Sequence, residues 1–520
     1  MAGVIPRKVK GFRDIGPELN SLRQRIVKAA SEVYRRYGFE HWDTPLLEYA
    51  EVIGKDLPDS DTPEQGIYAF PNPEVEPALD GEGREVRDQD NNVVMTHHLL
   101  AMRYDLTAPL ARRYAEDLMA RMEFRGSAIK PPLFRRFQYG PVFRFEAKLD
   151  PGRFREFWQL DFDTVGTPDV AADAEACCIL CDALEAIGLG RGTYEVRVNN
   201  RKLHKGLFEL VGISDEARAR DCLRVMDKYD KIGPSGVAAE LGQGRVDPGS
   251  GAFIPGVGLE HERVSTLVHY IESCMGVRDR EGVLERLEAQ VAGTPSGREG
   301  IEELRRIHEL LLALGYGEDR VVFDPSIARG LAYYTGPVFE VVSKLEYRDA
   351  SGAVRQFGAI CGGGRYDGLV ERLLGLRVPA TGASIGVDRL AELLSRLEEP
   401  QAGGPVLVLC LDPALMAEYM RIAAELRQAG LEAEVFHGQG RLKQQMAYAD
   451  RRRCPVVVIA GGSEVSRGTV SIKDMLKGKV LGQEVSDRAD WLSKRPAQVE
   501  VPRSSLSETV KAMLARDRRS

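Results

Sequence analysis

Apolar residues recur every three or four positions near the start of the chain, with basic residues between them. This spacing places the apolar side chains on one face of a helix, so an amphipathic helix is predicted over 18–37. Gly38 is expected to end that helix. The periodic apolar positions are Leu19, Leu22, Ile26, Ala29, Val33 and Tyr37.

A different period appears between residues 133 and 166, where phenylalanine alternates with arginine and the run FWQLDFDTVG follows. Alternation with period two over such lengths predicts antiparallel strands. Because successive strand side chains point to opposite faces, Gln159, Asp161 and Asp163 are expected to share one face.

The remaining patterns predict how the chain divides. A helix over 169–188 and a strand over 193–200 are followed by a helical, charged and leucine-rich stretch. Strand-like residues return at 321–390 and end in a helix near 388–398, so the helical stretch is interpreted as an insertion. After the Gly- and Pro-containing run EEPQAGGP, strands alternate with helices, which is typical of a small α/β domain.

The predicted fold class is α+β, an antiparallel sheet flanked by helices with two further domains. A Pro-, Gly- and acid-rich stretch at 71–92 is expected to form an exposed hairpin or loop. The predicted boundaries are a catalytic domain of 1–200 and 322–398, an inserted helical domain of 201–321, a linker of 399–404, an α/β domain of 405–495, and a polar C-terminal tail of 496–520.

Composition narrows the class of protein. The 520 residues are 43% hydrophobic and 29% charged, as in ordinary globular proteins, and the net charge of −7 argues against a general nucleic-acid coat. Local basic surface could still bind RNA. Neither a membrane span nor a secretory signal is predicted, so a cytoplasmic location is expected. Cys178 and Cys181 form an isolated CxxC, for which core packing in a helix is favoured over a zinc or redox role.

Two stretches carry the most chemical information. The first, DPSIARGLAYYTGPVFE at 324–340, places Arg329 before Tyr333 and Tyr334; the second, CGGGRYDGLV at 361–370, places Tyr366 after three glycines. A guanidinium, flat polar rings and backbone without side chains suit a small planar ligand. The alternative for either stretch alone is a β-hairpin whose glycines turn the chain.

Two more segments extend the pattern. FRFEAKLDPGRFREFWQLDFD at 143–163 has arginines on strand-compatible spacing around a loop, and GASIGVDRL at 382–390 joins a glycine-rich strand to a helix. Alone, the first could be a solvated basic hairpin and the second purely structural. Together and in this order, all these segments resemble the histidyl-tRNA synthetases, a family of class II aminoacyl-tRNA synthetases.

The resemblance implies ATP as a substrate, accompanied by Mg²⁺ for which no protein ligand is named. Arg144 would bridge the α-phosphate and the amino-acid carboxylate, and Glu146 would accept a hydrogen bond from the adenine amino group. Phe157 and Arg389 would stack on opposite faces of adenine, and Arg153 would meet the outer phosphates. Arginine suits these roles because it is always charged and its planar fork matches phosphate and carboxylate.

The resemblance also implies a histidine site. Asp105, Gln159 and Asp163 would surround the α-ammonium, and Tyr334 and Tyr366 would contact the imidazole. Catalysis would depend on Arg144, Arg389 and Arg329, and Arg329 would approach the α-phosphate from the side opposite Arg144. The full implied histidine-binding set is Asp105, Leu106, Thr107, Arg144, Gln159, Asp163, Arg329, Tyr333, Tyr334 and Tyr366.

The C-terminal domain resembles the anticodon-binding domain of class IIa synthetases. Arg441, Lys443 and Lys473 are the implied tRNA contacts, although a basic helix end is often only solvated. The implied partners are histidine, ATP, histidine tRNA and a second copy of the chain, paired through the first class II segment near Pro45. The alternative function is a non-catalytic, synthetase-like regulatory subunit of ATP phosphoribosyltransferase, which usually lacks both the anticodon domain and the ATP-site arginines.

Two features depart from the family pattern. Ala332 stands where the family usually has aspartate, and the loop AKLDPG lacks the usual bacterial Arg-Pro-Gln run. In the family this loop meets the acceptor end of the tRNA. The extra 5′ guanosine typical of histidine tRNA is therefore hypothesised to be dispensable for this chain.

Overall fold

The structure, a computed structural model, describes residues 5–53, 66–80, 84–125, 130–145, 152–327, 334–349, 351–397, 403–438, 440–477 and 497–517. The chain forms two compact units, Met1–Glu398 and Glu399–Ser520. None of the helices within these described ranges is long and apolar enough to cross a membrane.

The first unit contains twelve helices among its described residues. They are α1 Pro17–Arg36, α2 Ala50–Ile53, α3 Thr107–Arg125, α4 Ala171–Ile187, α5 Arg201–Leu210, α6 Glu216–Met226, α7 Tyr229–Leu241, α8 His261–Glu272, α9 Arg280–Val291, α10 Pro295–Ala313, α11 Glu371–Leu374 and α12 Val387–Leu397.

The strands in the described part of this unit form one large sheet and three small ones. They are β1 Glu40–His41, β2 Leu47–Tyr49, β3 Ala69–Pro71, β4 Glu76–Pro77, β5 Met95–Thr96, β6 Leu99–Met102, β7 Phe134–Phe143, β8 Glu156–Val165, β9 Tyr194–Asn200, β10 Gly244–Val246, β11 Phe253–Pro255, β12 Val321–Phe323, β13 Pro337–Arg348, β14 Val354–Arg365 and β15 Ala380–Gly386.

The large sheet has eight strands in the order β1-β7-β8-β15-β14-β13-β9-β12. Its six inner strands run antiparallel, and the two edge strands β1 and β12 pair in parallel. The alternation predicted for 133–166 is confirmed as the β7–β8 hairpin pair. The predicted α+β class is also confirmed.

One face of this sheet is covered by α1, α4 and α12. Leu160 and Phe162 of β8 are fully buried on that face, where Phe162 lies 5.0 Å from the ring of Tyr34 on α1. The helix predicted over 18–37 is therefore α1, and Gly38 follows it with a φ of 82°, a backbone conformation that favours glycine. The opposite face of β8 is left for polar side chains.

The predicted helical insertion comprises α5–α10 and the small hairpin β10–β11. Side chains at four helix starts accept hydrogen bonds from the backbone and so fix where the helices begin: Asn200, Asp215, Asp279 and Thr294. The apolar core of these helices is continuous with that of the large sheet. In the stretch predicted as an exposed hairpin or loop at 71–92, β4 pairs with β5, and two isolated bridges, Leu79–Glu85 and Arg87–Val93, lie between these strands.

The second unit is a five-stranded sheet, ordered β17-β16-β18-β19-β20, with four helices among its described residues. Its elements are β16 Val406–Val408, α13 Met416–Gln428, β17 Ala433–Val435, α14 Leu442–Arg451, β18 Val456–Ile459, α15 Gly462–Arg467, β19 Thr469–Asp474, β20 Gln498–Pro502 and α16 Leu506–Asp517.

The C-terminal segment differs from the polar tail predicted for 496–520. Strand β20 pairs with β19, and α16 buries Leu506 and Val510 completely in the core of this unit. Burial of these two side chains, four residues apart on one helical face, explains why the segment folds with the domain.

Candidate functional site

A cavity of about 300 Å³ lies over the four middle strands of the large sheet, on the face that the helices leave open. Ten of the predicted site residues line it: Asp105, Thr107, Arg144, Arg153, Phe157, Gln159, Asp163, Tyr334, Tyr366 and Arg389. Glu146, Arg329 and Tyr333 lie outside the described residues. Leu106 is buried and does not line the cavity; its carbonyl oxygen accepts a hydrogen bond of 2.7 Å from Arg136 Nη2.

The floor of the cavity follows from strand register. On β8 and β15, Asp161 lies opposite Ser384 and Asp163 opposite Gly382, and Ser384 in turn lies opposite Gly362 of β14. A side chain at Gly382 would overlap the Asp163 carboxylate and the backbone behind it. Glycine on β15 therefore makes room for the Asp163 carboxylate of β8 and leaves bare backbone facing the cavity.

Arg144 is held at one side of the cavity. Its Nε donates to the carbonyl oxygen of Tyr104 over 3.0 Å, and its Nη2 donates to Gln159 Oε1 over 3.4 Å. Its guanidinium carbon lies 4.4 Å from the centroid of the Tyr104 ring and 5.2 Å from that of Phe157. A guanidinium has five N–H donors, so an arginine oriented in this way can also bind an anion.

Arg389 enters from the first turn of α12, where Nη2 donates to the backbone carbonyl of Phe357. The residue before it, Asp388, is 1% exposed and accepts hydrogen bonds from Arg13 Nη2 at 2.9 Å and Arg23 Nε at 2.8 Å. Asp388 also accepts from the backbone N–H of Trp158 on β8. These bonds fix the start of α12 against β8 and so position Arg389.

The acidic side of the cavity is centred on Asp163. Its carboxylate lies 3.0 Å from Arg136 Nη2 and accepts a hydrogen bond from the Tyr366 hydroxyl. Burial raises the pKa of Asp163, and Arg136 and the Tyr366 hydrogen bond oppose that rise. Burial also raises the pKa of Tyr366 well above its ordinary value, so its hydroxyl stays a neutral donor.

Asp105 shapes the neighbouring wall. Its Oδ1 accepts hydrogen bonds from the backbone N–H groups of Thr107 at 3.1 Å and Ala108 at 2.9 Å, where α3 begins. These hydrogen bonds orient the Asp105 carboxylate and also cap the start of α3. Thr107 is thereby held in the cavity wall.

Sequence reasoning left several cavity residues out of the site. Asp161 is 3% exposed, and burial raises its pKa to about 7, with Asp163 adding to the rise. The period-two pattern had placed Asp161 on the face of Gln159 and Asp163, which was the signal for it. No local pattern pointed to Ser384 and Glu340, because only the pairing of distant strands places them alongside Asp161.

In the second unit, Arg441 and Lys443 are exposed at the start of α14, and Lys473 is partly buried on β19. A cavity of about 460 Å³ beside α14 is not lined by any of these three residues. Its wall consists of Glu434, Phe436, His437, Gly438, Gln444, Tyr448 and Arg451.

No metal centre is evident within the described ranges, which contain no group of three or more His, Cys, Asp or Glu side chains that could hold an ion. Cys178 and Cys181 are buried free thiols on α4. Burial raises the pKa of Cys178 to about 12 and raises that of Cys181 as well. Protonated, buried thiols agree with core packing.

Comparison with known proteins gives consistent matches. Residues 74–390 match the family model described as histidyl-tRNA synthetase, and residues 405–513 match that of an anticodon binding domain. A histidine–tRNA ligase from Paracoccus denitrificans is 45% identical over 510 residues, covering 97% of both chains. One from a Ruegeria species is 45% identical, covering 97% of this chain and 95% of its own.

Among solved structures, the histidyl-tRNA synthetase from a Nostoc species matches with a TM-score of 0.68 at 26% identity. The match covers 98% of this chain and all of that one.

Proposed function

Because the chain belongs to the histidyl-tRNA synthetases, we propose that it attaches histidine to its tRNA in two steps. ATP and histidine first form histidyl-adenylate with release of pyrophosphate, and the histidyl group then passes to the tRNA 3′ end. The observation that carries the proposal is the convergence of Arg144, Arg153 and Arg389 with Asp163 and Tyr366 in one cavity.

The first step joins two anions at the α-phosphorus and needs no covalent enzyme nucleophile. It needs fixed positive charge on the pentavalent phosphate, and orientation of the carboxylate for attack. Arg144 supplies both the charge and the orientation at the α-phosphate. Phe157 and Arg389 hold adenine between them, and Arg153 binds the outer phosphates together with Arg389. In this proposal Glu146 accepts from the adenine amino group, and Arg329 acts from the opposite side of the phosphate.

Histidine is selected by the acidic side of the same cavity. Gln159 and Asp105 accept from the α-ammonium, with Thr107 beside them. The resemblance places Asp163 at the α-ammonium, but its carboxylate accepts the Tyr366 hydrogen bond. We therefore assign Asp163 to the imidazole side, where a substrate ring nitrogen can share the carboxylate. A site built to hydrogen-bond both imidazole nitrogens rejects analogues by factors of roughly 10⁴ or more, because its buried polar groups are otherwise left unpaired.

Mg²⁺ is proposed to enter with ATP. The described residues offer no cluster of carboxylates or histidines for a resident ion. Mg²⁺ usually keeps several water ligands and can instead be coordinated by the ATP phosphates, where it neutralises their charge. The arginine, aspartate and tyrosine side chains of the cavity keep their proposed roles whether or not the ion is bound.

The second unit is proposed to bind the anticodon arm, with Arg441, Lys443 and Lys473 contacting phosphates.

The enzyme is proposed to be cytoplasmic and to form a homodimer through the segment near Pro45. Support for the interface comes from exposed apolar side chains on both sides of that proline: Trp42, Leu46, Leu47 and Tyr49 are 36–44% exposed.

The regulatory-subunit alternative is not favoured. Such proteins usually lack the second domain, whereas residues 405–513 match an anticodon-binding domain. Arg144 and Arg389 are also present and aimed into the cavity.

Histidine-dependent exchange of pyrophosphate into ATP tests the function. Wild-type protein should catalyse it without tRNA, and Arg144→Gln should lower the rate roughly 10²- to 10³-fold, as expected for a lost anion-stabilising donor. Arg135→Gln is the matched control. Arg135 is next to Arg136 on β7, so its side chain points to the opposite face of the sheet, where it pairs with Glu175. No exchange in the wild type, or full exchange in Arg144→Gln, would contradict the proposal.

A further inference from the structure

Asp161 is a buried carboxylate in the cavity wall that the proposed reaction does not yet use. Its side chain is 3% exposed, and Oδ1 has no hydrogen-bond partner among the described residues. A buried, unpaired oxygen costs free energy unless something else satisfies it. Because Asp161 lines the cavity, a bound ligand can do so.

The surroundings of Asp161 define the charge of that ligand. Ser384 lies opposite Asp161 on the adjacent strand and accepts a hydrogen bond of 2.6 Å from Gln159 Nε2. Its hydroxyl lowers the pKa of Asp161 against the effect of burial. The titratable and charged groups around Asp161 come from four elements. They are Asp163 on β8, Arg136 on β7, Arg103 and Asp105 in the segment before α3, and Tyr34 on α1, which lies behind the strand. When all three carboxylates are ionised, they outnumber the two guanidinium groups, and the excess negative charge favours a cation.

The position of Asp161 along β8 indicates which cation. Residues two apart on a strand are separated by about 6.6 Å, so Asp161 lies midway between Gln159 and Asp163. Gln159 contacts Arg144 on the side proposed for the carboxylate and phosphate, and Asp163 contacts Tyr366 on the side proposed for the ring. In a bound amino acid the α-ammonium lies between those two ends.

We infer that Asp161 is a further carboxylate of the amino-acid site and accepts a hydrogen bond from the α-ammonium of bound histidine through Oδ1. This inference rests on the proposed function. The contact replaces the missing partner of Oδ1 and neutralises the excess charge of the cluster. An ammonium at this position also stabilises the ionised form of Asp161, so binding is tighter where that form is populated.

The test compares three ligands by calorimetric titration of the full-length protein. L-Histidine and L-histidinol both carry the ammonium and the imidazole, whereas imidazolepropionate lacks the ammonium. At pH 8, Asp161→Asn should weaken binding of the first two by a similar factor, roughly tenfold or more, as for the loss of a charge-assisted hydrogen bond. Binding of imidazolepropionate and the KM for ATP should stay at wild-type values.

The pH profile separates this contact from a structural role. In the wild type, Asp161 is protonated at low pH, so the ratio of wild-type to variant affinity for histidine should shrink as pH falls from 8 to 6. A ratio that does not change with pH, or equal weakening of all three ligands, would overturn the inference. Asp230→Asn, which removes a carboxylate with an exposed side chain in the insertion, is the matched control and should bind all three ligands normally.

A second variant leaves Asp161 in place and covers the case in which Asp161→Asn does not fold. Ser384→Ala removes a hydroxyl that lowers the pKa of Asp161, so the rise of histidine affinity with pH should move to higher pH. An unmoved profile would count against the contact. Histidine-dependent exchange by wild-type protein is measured alongside: its absence refutes the proposed function, whereas normal exchange with unaltered variants refutes only the role of Asp161.

Discussion

Replacement of Tyr366 by phenylalanine isolates one hydrogen bond of the proposed histidine site. The ring of Tyr366 is 4% exposed and packs in an apolar cluster that includes Leu110 and Val370, so phenylalanine preserves its packing. Only the hydroxyl is lost, and with it the hydrogen bond that Asp163 accepts. The carboxylate then keeps Arg136 as its charged neighbour, 3.0 Å away.

The expected loss follows from the charge of the acceptor. A hydrogen bond to a charged group contributes about 1.5–3 kcal/mol, which corresponds to a roughly 10- to 150-fold lower kcat/KM for histidine. The KM for ATP should not change. Because the lost hydrogen bond lowers the pKa of Asp163, its removal raises that pKa further, and ionised Asp163 is then reached only at higher pH. The acid limb of the histidine kcat/KM profile should therefore move to higher pH.

The assay is histidine-dependent pyrophosphate exchange between pH 5.5 and 9, with Tyr34→Phe as the matched control. Tyr34 lies behind the same strand against Phe162, and its buried hydroxyl has no hydrogen-bond partner in the described part of the chain. Its removal should be neutral or slightly stabilising. If Tyr366→Phe keeps wild-type kcat/KM and an unshifted acid limb, Asp163 does not depend on Tyr366 and the proposed imidazole side of the cavity is wrong.

Three further variants test other parts of the structure. Gly382→Ala adds a methyl group that overlaps a cavity carboxylate, so a destabilisation of about 1–3 kcal/mol and weaker histidine binding are expected, measured by urea unfolding and calorimetry. Asp388→Asn leaves two arginines without their buried partner and should cost about 3 kcal/mol or more in unfolding free energy, against less than about 1 kcal/mol for Glu392→Gln on the same helix; equal effects would refute this. Joint replacement of Arg441 and Lys443 by glutamine should raise the aminoacylation KM for tRNA and reduce its salt dependence, while tRNA-independent exchange continues at the wild-type rate.

Local patterns in the sequence predicted much of the fold. The periodic apolar residues and Gly38 predicted the bounds of α1 to within one residue. Both signals are local, because each depends only on residues within or next to the helix. The tail was missed although Leu506 and Val510 have helical spacing, since the polar residues around them dominate the composition. A short amphipathic helix is recognised more reliably by the spacing of its few apolar residues than by overall polarity.

Local sequence predicted only the part of the site that lies on a single strand. Period two placed Gln159, Asp161 and Asp163 on one face, and the structure confirms that all three line the cavity. Tyr366, however, lies 203 residues from Asp163, and the hydrogen bond between them depends on strand order within the sheet. Local sequence does not contain that order, so the resemblance supplied it.

The same dependence on strand order explains why Asp161 was overlooked. A carboxylate on the correct face becomes a ligand only if its neighbours leave one oxygen unpaired, and in this sheet those neighbours are Ser384 on the adjacent strand and buried charges from β7 and the segment before α3. Its pKa near 7 follows from that non-local arrangement, because burial and a second carboxylate oppose ionisation more than the guanidinium and hydroxyl favour it. The charge state of the amino-acid site is thus set by the sheet as a whole, and a substrate cation is the group that completes it.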